Sequence, residues 1–118
     1  MAQINVNQLA YNLSVRALED LIQQQKSFSI SEFEYEGAKF SFRVPYNFDF
    51  RFDGQYYYHE NEQLEIYVRE KKFEDLVVEF YDTIYCLWTG YAQRDDSELT
   101  ANAAELKKTL RNMIEAKN

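Results

Sequence analysis

The stretch Phe40-Ser41-Phe42-Arg43-Val44-Pro45-Tyr46-Asn47-Phe48-Asp49-Phe50-Arg51-Phe52 sets an apolar side chain at every even position and, Pro45 apart, a polar one between. That period of two belongs to a strand, where successive side chains point to opposite faces. The pattern extends in both directions: Phe33 and Tyr35 precede it, and Tyr57, His59, Leu64, Ile66 and Val68 follow. One apolar face and one polar face are the mark of a twisted antiparallel sheet with a single buried side.

Turn signals divide this stretch into strands. Glu36-Gly37 reads as a two-residue hairpin turn, because glycine tolerates the positive φ such turns require. It sets Phe33 opposite Phe40 and Glu34 opposite Lys39, an aromatic pair beside a charge pair. Phe28 and Ile30 have the other parity from Phe33, so a bulge near Ser31 is expected. Pro45 has no N–H to give to a ladder and predicts a bend. Asp53-Gly54 is the strongest hairpin signal; a tight turn there sets Phe50 opposite Tyr57, Phe48 opposite His59 and Arg51 opposite Tyr56. A turn over Glu60-Asn61-Glu62-Gln63 then sets His59 opposite Leu64, Tyr58 opposite Glu65 and Tyr56 opposite Tyr67.

Helical spacing flanks the strands. Leu9, Leu13, Ala17 and Leu21 recur every four residues, predicting an N-terminal helix capped at Asn5 or Asn7 and fading across Gln24 to Lys26. Leu76, Val77, Phe80, Ile84, Leu87, Trp88 and Tyr91 predict a second helix from Phe73. Leu99, Ala103, Leu106, Leu110, Met113 and Ile114 predict a third, capped by Asp95, Asp96 or Ser97. The short connection between the last two implies an antiparallel helical hairpin. The expected fold over residues 1–118 is a single α+β domain: an N-terminal helix, an antiparallel sheet of about four strands in hairpins, and a C-terminal helical hairpin covering one sheet face.

Composition narrows the function classes. The 118 residues include ten Tyr and nine Phe, enough apolar bulk for one core without disulfide or metal. Cys86 is the only cysteine, so no intrachain disulfide can form. The first residues lack the basic and apolar regions of a signal peptide, and no apolar run approaches the roughly 20 residues of a membrane span. A cytoplasmic protein with no membrane association is expected. The net charge of −7 argues against direct nucleic-acid binding, which needs a basic stripe, and favours a protein partner with a basic surface.

Two surfaces are candidates for binding. The outward track of the sheet carries Arg51, Tyr56, Tyr58, Glu65, Tyr67 and Arg69; tyrosine and arginine supply large contact area with a polar tip and dominate binding hot spots. The outer side of the second helix carries Glu74, Asp75, Glu79 and Asp82. Acids in a first helical turn already favour the helix dipole, which leaves Glu79 and Asp82 as the pair without a local reason.

The remaining chemistry-bearing residues read as structural. His59, the only histidine, lies on the inward track near its end and reads as a partly buried structural group whose unperturbed pKa near 6.5 would allow a pH response. Cys86 has no base beside it in sequence and reads as a small buried or half-buried residue. One His and one Cys do not make a metal site, and the three isolated glycines do not make a phosphate loop. No catalytic group and no cofactor is expected.

In size, acidity and lack of catalytic motifs, the chain resembles the small proteins of phages and mobile elements that inhibit host enzymes, anti-CRISPR proteins among them; the resemblance covers no motif and carries over no residue. The function expected is a non-enzymatic binding module, an inhibitor or regulator of a larger protein. The alternatives are a homodimer built on the aromatic face or a free strand edge, and a small-molecule pocket using Tyr35, Tyr46, Tyr57 and His59.

Overall fold

The computed structural model describes residues 27–117. The expected N-terminal helix lies outside the described residues. Six strands form two three-stranded antiparallel sheets, and the two helices follow the fifth strand. This corrects the expected single sheet of about four strands, and the C-terminal helical hairpin is not found.

Strands β1 (Ser27–Tyr35) and β2 (Ala38–Asp49) form the first hairpin. Phe33 faces Phe40 and Glu34 faces Lys39, as the sequence pattern requires. Glu36 and Gly37 both have positive φ, 52° and 78°, the backbone of a two-residue turn matched to strand twist. The register shifts between Ile30 and Glu32. There β1 advances by Ser31 alone, while β2 spends Phe42 to Pro45 between its partners Ser41 and Tyr46. The bow in β2 falls at Pro45, which has no N–H for the ladder. It turns Val44, expected in the core, out to 77 % exposure.

Beyond Asp49 the chain changes sheets. β3 (Arg51–Phe52) pairs with β4 (Tyr57–Asn61), which pairs with β5 (Ile66–Glu70). Both turns differ from the expected ones. Asp53 to Tyr56 form the first loop, closed by Asp53 N–H on the Tyr56 carbonyl at 3.1 Å, so Phe52 faces Tyr57 and Arg51 faces Tyr58. Asn61 faces Ile66 and His59 faces Val68, which moves the second loop to Glu62–Glu65. The Asn61 side chain accepts the Leu64 N–H at 3.0 Å and Glu65 takes a φ of 56°. The slips are of two and four residues. Because a strand repeats every two, each side chain keeps its face even though its cross-strand partner changes.

Helix α1 (Phe73–Leu87) starts without a side-chain cap, with Glu74 and Asp75 in its first turn to complement the dipole. It lies across both sheets. Tyr81 stacks on Phe33 at 4.2 Å, Phe80 packs on Tyr46, Phe48 and His59 at 5.0 to 5.2 Å, and Phe73 packs on Phe50 at 4.8 Å. Each such ring pair adds about 0.5–1.5 kcal/mol beyond its buried area, so the helix joins the two sheets into one core.

After α1 the chain makes a π-helical turn at Trp88–Ala92 and a short 3₁₀ turn at Asp96–Glu98 before α2 (Ala101–Met113). Thr100, rather than Asp95, Asp96 or Ser97, caps α2 by accepting the Ala103 N–H. The two extra turns redirect α2, which packs on the π-helical turn instead of folding back as a hairpin partner of α1. Arg111 donates to the Ala92 carbonyl at 2.8 Å and its guanidinium lies 5.6 Å from the Trp88 ring. Ile114, expected on the helical stripe, opens β6 (Ile114–Lys117), which pairs with Lys39–Phe42 of β2. An open strand edge with an apolar residue ready to cover it overrides helical spacing.

Candidate functional site

The outer face of β3–β5 is held in place by its own turn. Asp53 accepts the N–H groups of Gln55 and Tyr56, each at 2.8 Å, through one carboxylate oxygen and the Tyr58 hydroxyl through the other. These bonds hold the Asp53 carboxyl below its ordinary range, the Tyr58 hydroxyl foremost, and the same bond pushes the Tyr58 hydroxyl up. Tyr58 is thereby fixed on the sheet surface, with its ring centroid 6.2 Å from that of Tyr67. Tyr67 itself is 60 % exposed.

Arginines flank the rings, though not in the expected pairs. Arg51 faces Tyr58 rather than Tyr56 and bridges to Glu60 at 2.8 Å. Arg69 covers the Tyr56 ring at 4.4 Å, with the Lys71 ammonium 6.0 Å from the same centroid. Tyr56 belongs to the turn rather than a strand, Tyr67 faces Glu60, and Tyr58 faces Arg69 rather than Glu65. Arg51, Tyr56, Tyr58, Tyr67 and Arg69 therefore share one surface. Glu65 sits in the β4–β5 loop at its far end.

Glu79 and Asp82 do not join this surface. Ile66 and Val68 on the inner side of β5 are buried with Leu76, Val77 and Phe80 of α1 in one core. Exposed Glu79 therefore lies across the core from Tyr67. Asp82 is half-buried and accepts the Tyr35 hydroxyl at 2.9 Å. That bond pushes Tyr35 up to about 12. It gives Asp82 the local structural reason that its sequence position did not reveal. Tyr81, next to Asp82 in sequence, is buried against Phe33.

The second polar cluster lies inside, at the seam between the sheets. His59 is 2 % exposed and stacks on Phe48 at 4.2 Å. Its Nδ1 lies 2.6 Å from the Asp49 carbonyl and 3.3 Å from the Asp49 carboxylate; its Nε2 lies 2.7 Å from the Tyr46 hydroxyl, which receives a bond from Asn61 at 3.1 Å. Burial lowers the His59 pKa, with Asp49 opposing the shift, and burial pushes Tyr46 up to about 12. Both ring nitrogens are taken, so neither is placed to accept a proton from a substrate. The four groups expected to line one pocket do not converge: Tyr46 and His59 bind each other, Tyr57 packs on Phe52 at 4.4 Å, and Tyr35 lies against Tyr85.

Cys86 is exposed, where a buried or half-buried position was expected, while Trp88 is buried with its ring nearly perpendicular to that of Phe40. Among the described residues, no cluster of His, Cys, Asp or Glu is arranged to hold a metal ion, and no helix is long and apolar enough to cross a membrane.

Sequence reasoning missed Asp53, Glu60 and Lys71 as parts of the outer face. Asp53 carried a readable signal, since an aspartate before glycine commonly bonds the backbone two residues on. Glu60 and Lys71 share the parity of Tyr58 and Arg69, respectively, but the turn expected over Glu60-Asn61-Glu62-Gln63 takes Glu60 out of the strand, and Lys71 lies just beyond the end of β5. Compared with known proteins, the chain matches no family model, no curated protein and no solved structure.

Proposed function

We propose that this domain is a protein-binding module that docks through the outer face of β3–β5 and regulates or inhibits a larger protein by occupying its surface. The observation that carries this reading is an ordered aromatic and guanidinium surface facing water: Tyr58 tied to Asp53, Tyr56 covered by Arg69, and Tyr67 exposed beside them. Side chains already held in one conformation lose less entropy on docking, and Tyr and Arg are the types that most often dominate binding energy. Exposed, unpaired Cys86 fits a reducing compartment such as the cytoplasm.

A pull-down from the native host with wild type and a folded Tyr58→Ala/Tyr67→Ala variant tests the reading. The variant is expected to lose a partner that wild type retains. Equal recovery of the same partners by both proteins contradicts it.

A further inference from the structure

The hydrogen-bonding state of the charged groups on this face specifies the kind of partner it fits. Its nearest carboxylates are committed: Glu60 to Arg51, and Asp53 to the Tyr58 hydroxyl and two backbone N–H groups. Arg69 and Lys71 differ. Among the described residues neither pairs with a carboxylate, and both lie over the Tyr56 ring. A guanidinium carries five N–H donors in a planar fork shaped for a carboxylate. On an otherwise acidic protein, the Tyr56 end of the sheet thus presents cationic donors without acceptors.

The negative groups at the other end do not cancel this. At about 3.3 Å per strand residue, Glu65 stands roughly 13 Å from Arg69, beyond the ~8 Å Debye length at physiological salt. Within that length the Asp53, Glu60 and Glu70 carboxylates offset much of the Arg51, Arg69 and Lys71 charge, so an acidic segment is recognised through the unpaired guanidinium and ammonium donors over Tyr56 rather than through a net positive field. Beyond it the net charge of −7 repels a long polyanion, so a short acidic stretch is favoured over a nucleic-acid strand.

Resting on the docking role proposed for this face, we propose that its occupant is a short acidic segment of a partner protein. Carboxylates of the segment bind Arg69 and Lys71, and an apolar or aromatic side chain packs on Tyr58 and Tyr67.

The test pans a displayed library of random short peptides against the full-length protein. Selected peptides are then measured against wild type, Arg69→Glu/Lys71→Glu and Tyr67→Ala, each checked by circular dichroism. The substituted side chains lie on the sheet surface, outside the core. The expected result is enrichment of Asp and Glu beside an apolar residue, affinity that weakens as salt rises, and a loss of at least about tenfold in Arg69→Glu/Lys71→Glu. Neutral or basic peptides that depend on Tyr67 would overturn the acidic assignment while leaving the docking face standing. Acidic peptides indifferent to Arg69→Glu/Lys71→Glu would overturn it by placing the site elsewhere. Failure to select any Tyr67-dependent peptide would remove the docking face as well. Single-stranded oligothymidylate displacing the peptides at lower concentration would overturn it in favour of nucleic acid. A wild-type dimer in sedimentation that Arg69→Glu/Lys71→Glu dissociates would overturn it in favour of a second copy.

Discussion

The Tyr46 hydroxyl lies 2.7 Å from Nε2 of His59, a bond that ties the last long strand of the first sheet to the middle strand of the second. With Nδ1 donating to the Asp49 carbonyl, Nε2 must accept, so the Tyr46 hydroxyl donates to it and receives from Asn61. Every proton in this chain has one acceptor, and the arrangement requires a neutral imidazole.

Removing the hydroxyl breaks the chain at its centre. Tyr46→Phe leaves buried Nε2 without a donor and Asn61 without its acceptor. The expected loss is about 1–3 kcal/mol, read as a lower urea midpoint at unchanged slope. An unchanged midpoint would show that the seam bond contributes nothing.

His59 also makes stability depend on pH. Its folded pKa is lowered from 6.5 by burial, so below pH 6.5 the unfolded chain takes up a proton before the folded one does. The contribution is fully present above that value. It declines as pH falls, by at most about 1.4 kcal/mol per pH unit, until the folded group titrates. Asp53, whose lowered carboxyl titrates below 3.8, acts in a separate and more acidic window. Urea titrations across about pH 7.5 to 5.5 should show the decline in wild type and a shallower one in His59→Gln. Identical slopes in the two proteins would assign the pH dependence to other groups.

Glu36 occupies the left-handed region, at φ 52°, that the first hairpin turn demands. Asn adopts that conformation more readily than Glu. Glu36→Asn should therefore raise stability by about 0.5–1 kcal/mol, visible as a higher melting temperature. A lower one would mean that the glutamate side chain makes a contribution larger than the backbone cost.

Val44 and Phe42 sit two residues apart on one strand and should respond oppositely to substitution. Val44→Thr, in the exposed bow, should change stability by less than about 0.5 kcal/mol. Phe42→Ala, in the buried core against Phe33 and Tyr46, should cost about 3–5 kcal/mol. Equal costs would contradict the bow at Pro45.

Face assignment was legible in the sequence because it depends only on parity, and loops that slip by even numbers preserve parity. Tyr58, Tyr67, Arg51 and Arg69 accordingly lie on the side the alternation required. Their partners were not legible, since a four-residue loop at Asp53 and a displaced loop at Glu62 depend on side-chain bonds made by Asp53 and Asn61. The split into two sheets was hidden for a similar reason: only the pairing of Asp49 with Ser27, followed by Arg51 with Tyr58, reveals that one continuous stretch serves both. Ile114 fitted a helical stripe equally well, and the open edge of β2 decided its strand conformation. Asp82 looked like a surface acid until long-range packing brought Tyr35 to it.

Site-specific photocrosslinking in the cells that normally express the protein tests the docking face most directly. A photoreactive phenylalanine derivative at Tyr67 should give a discrete adduct with another protein, and the same group at Glu79, across the core, should not. Adducts from position 79 alone, or none from position 67, would contradict the assignment of the β3–β5 surface as the place where this protein works.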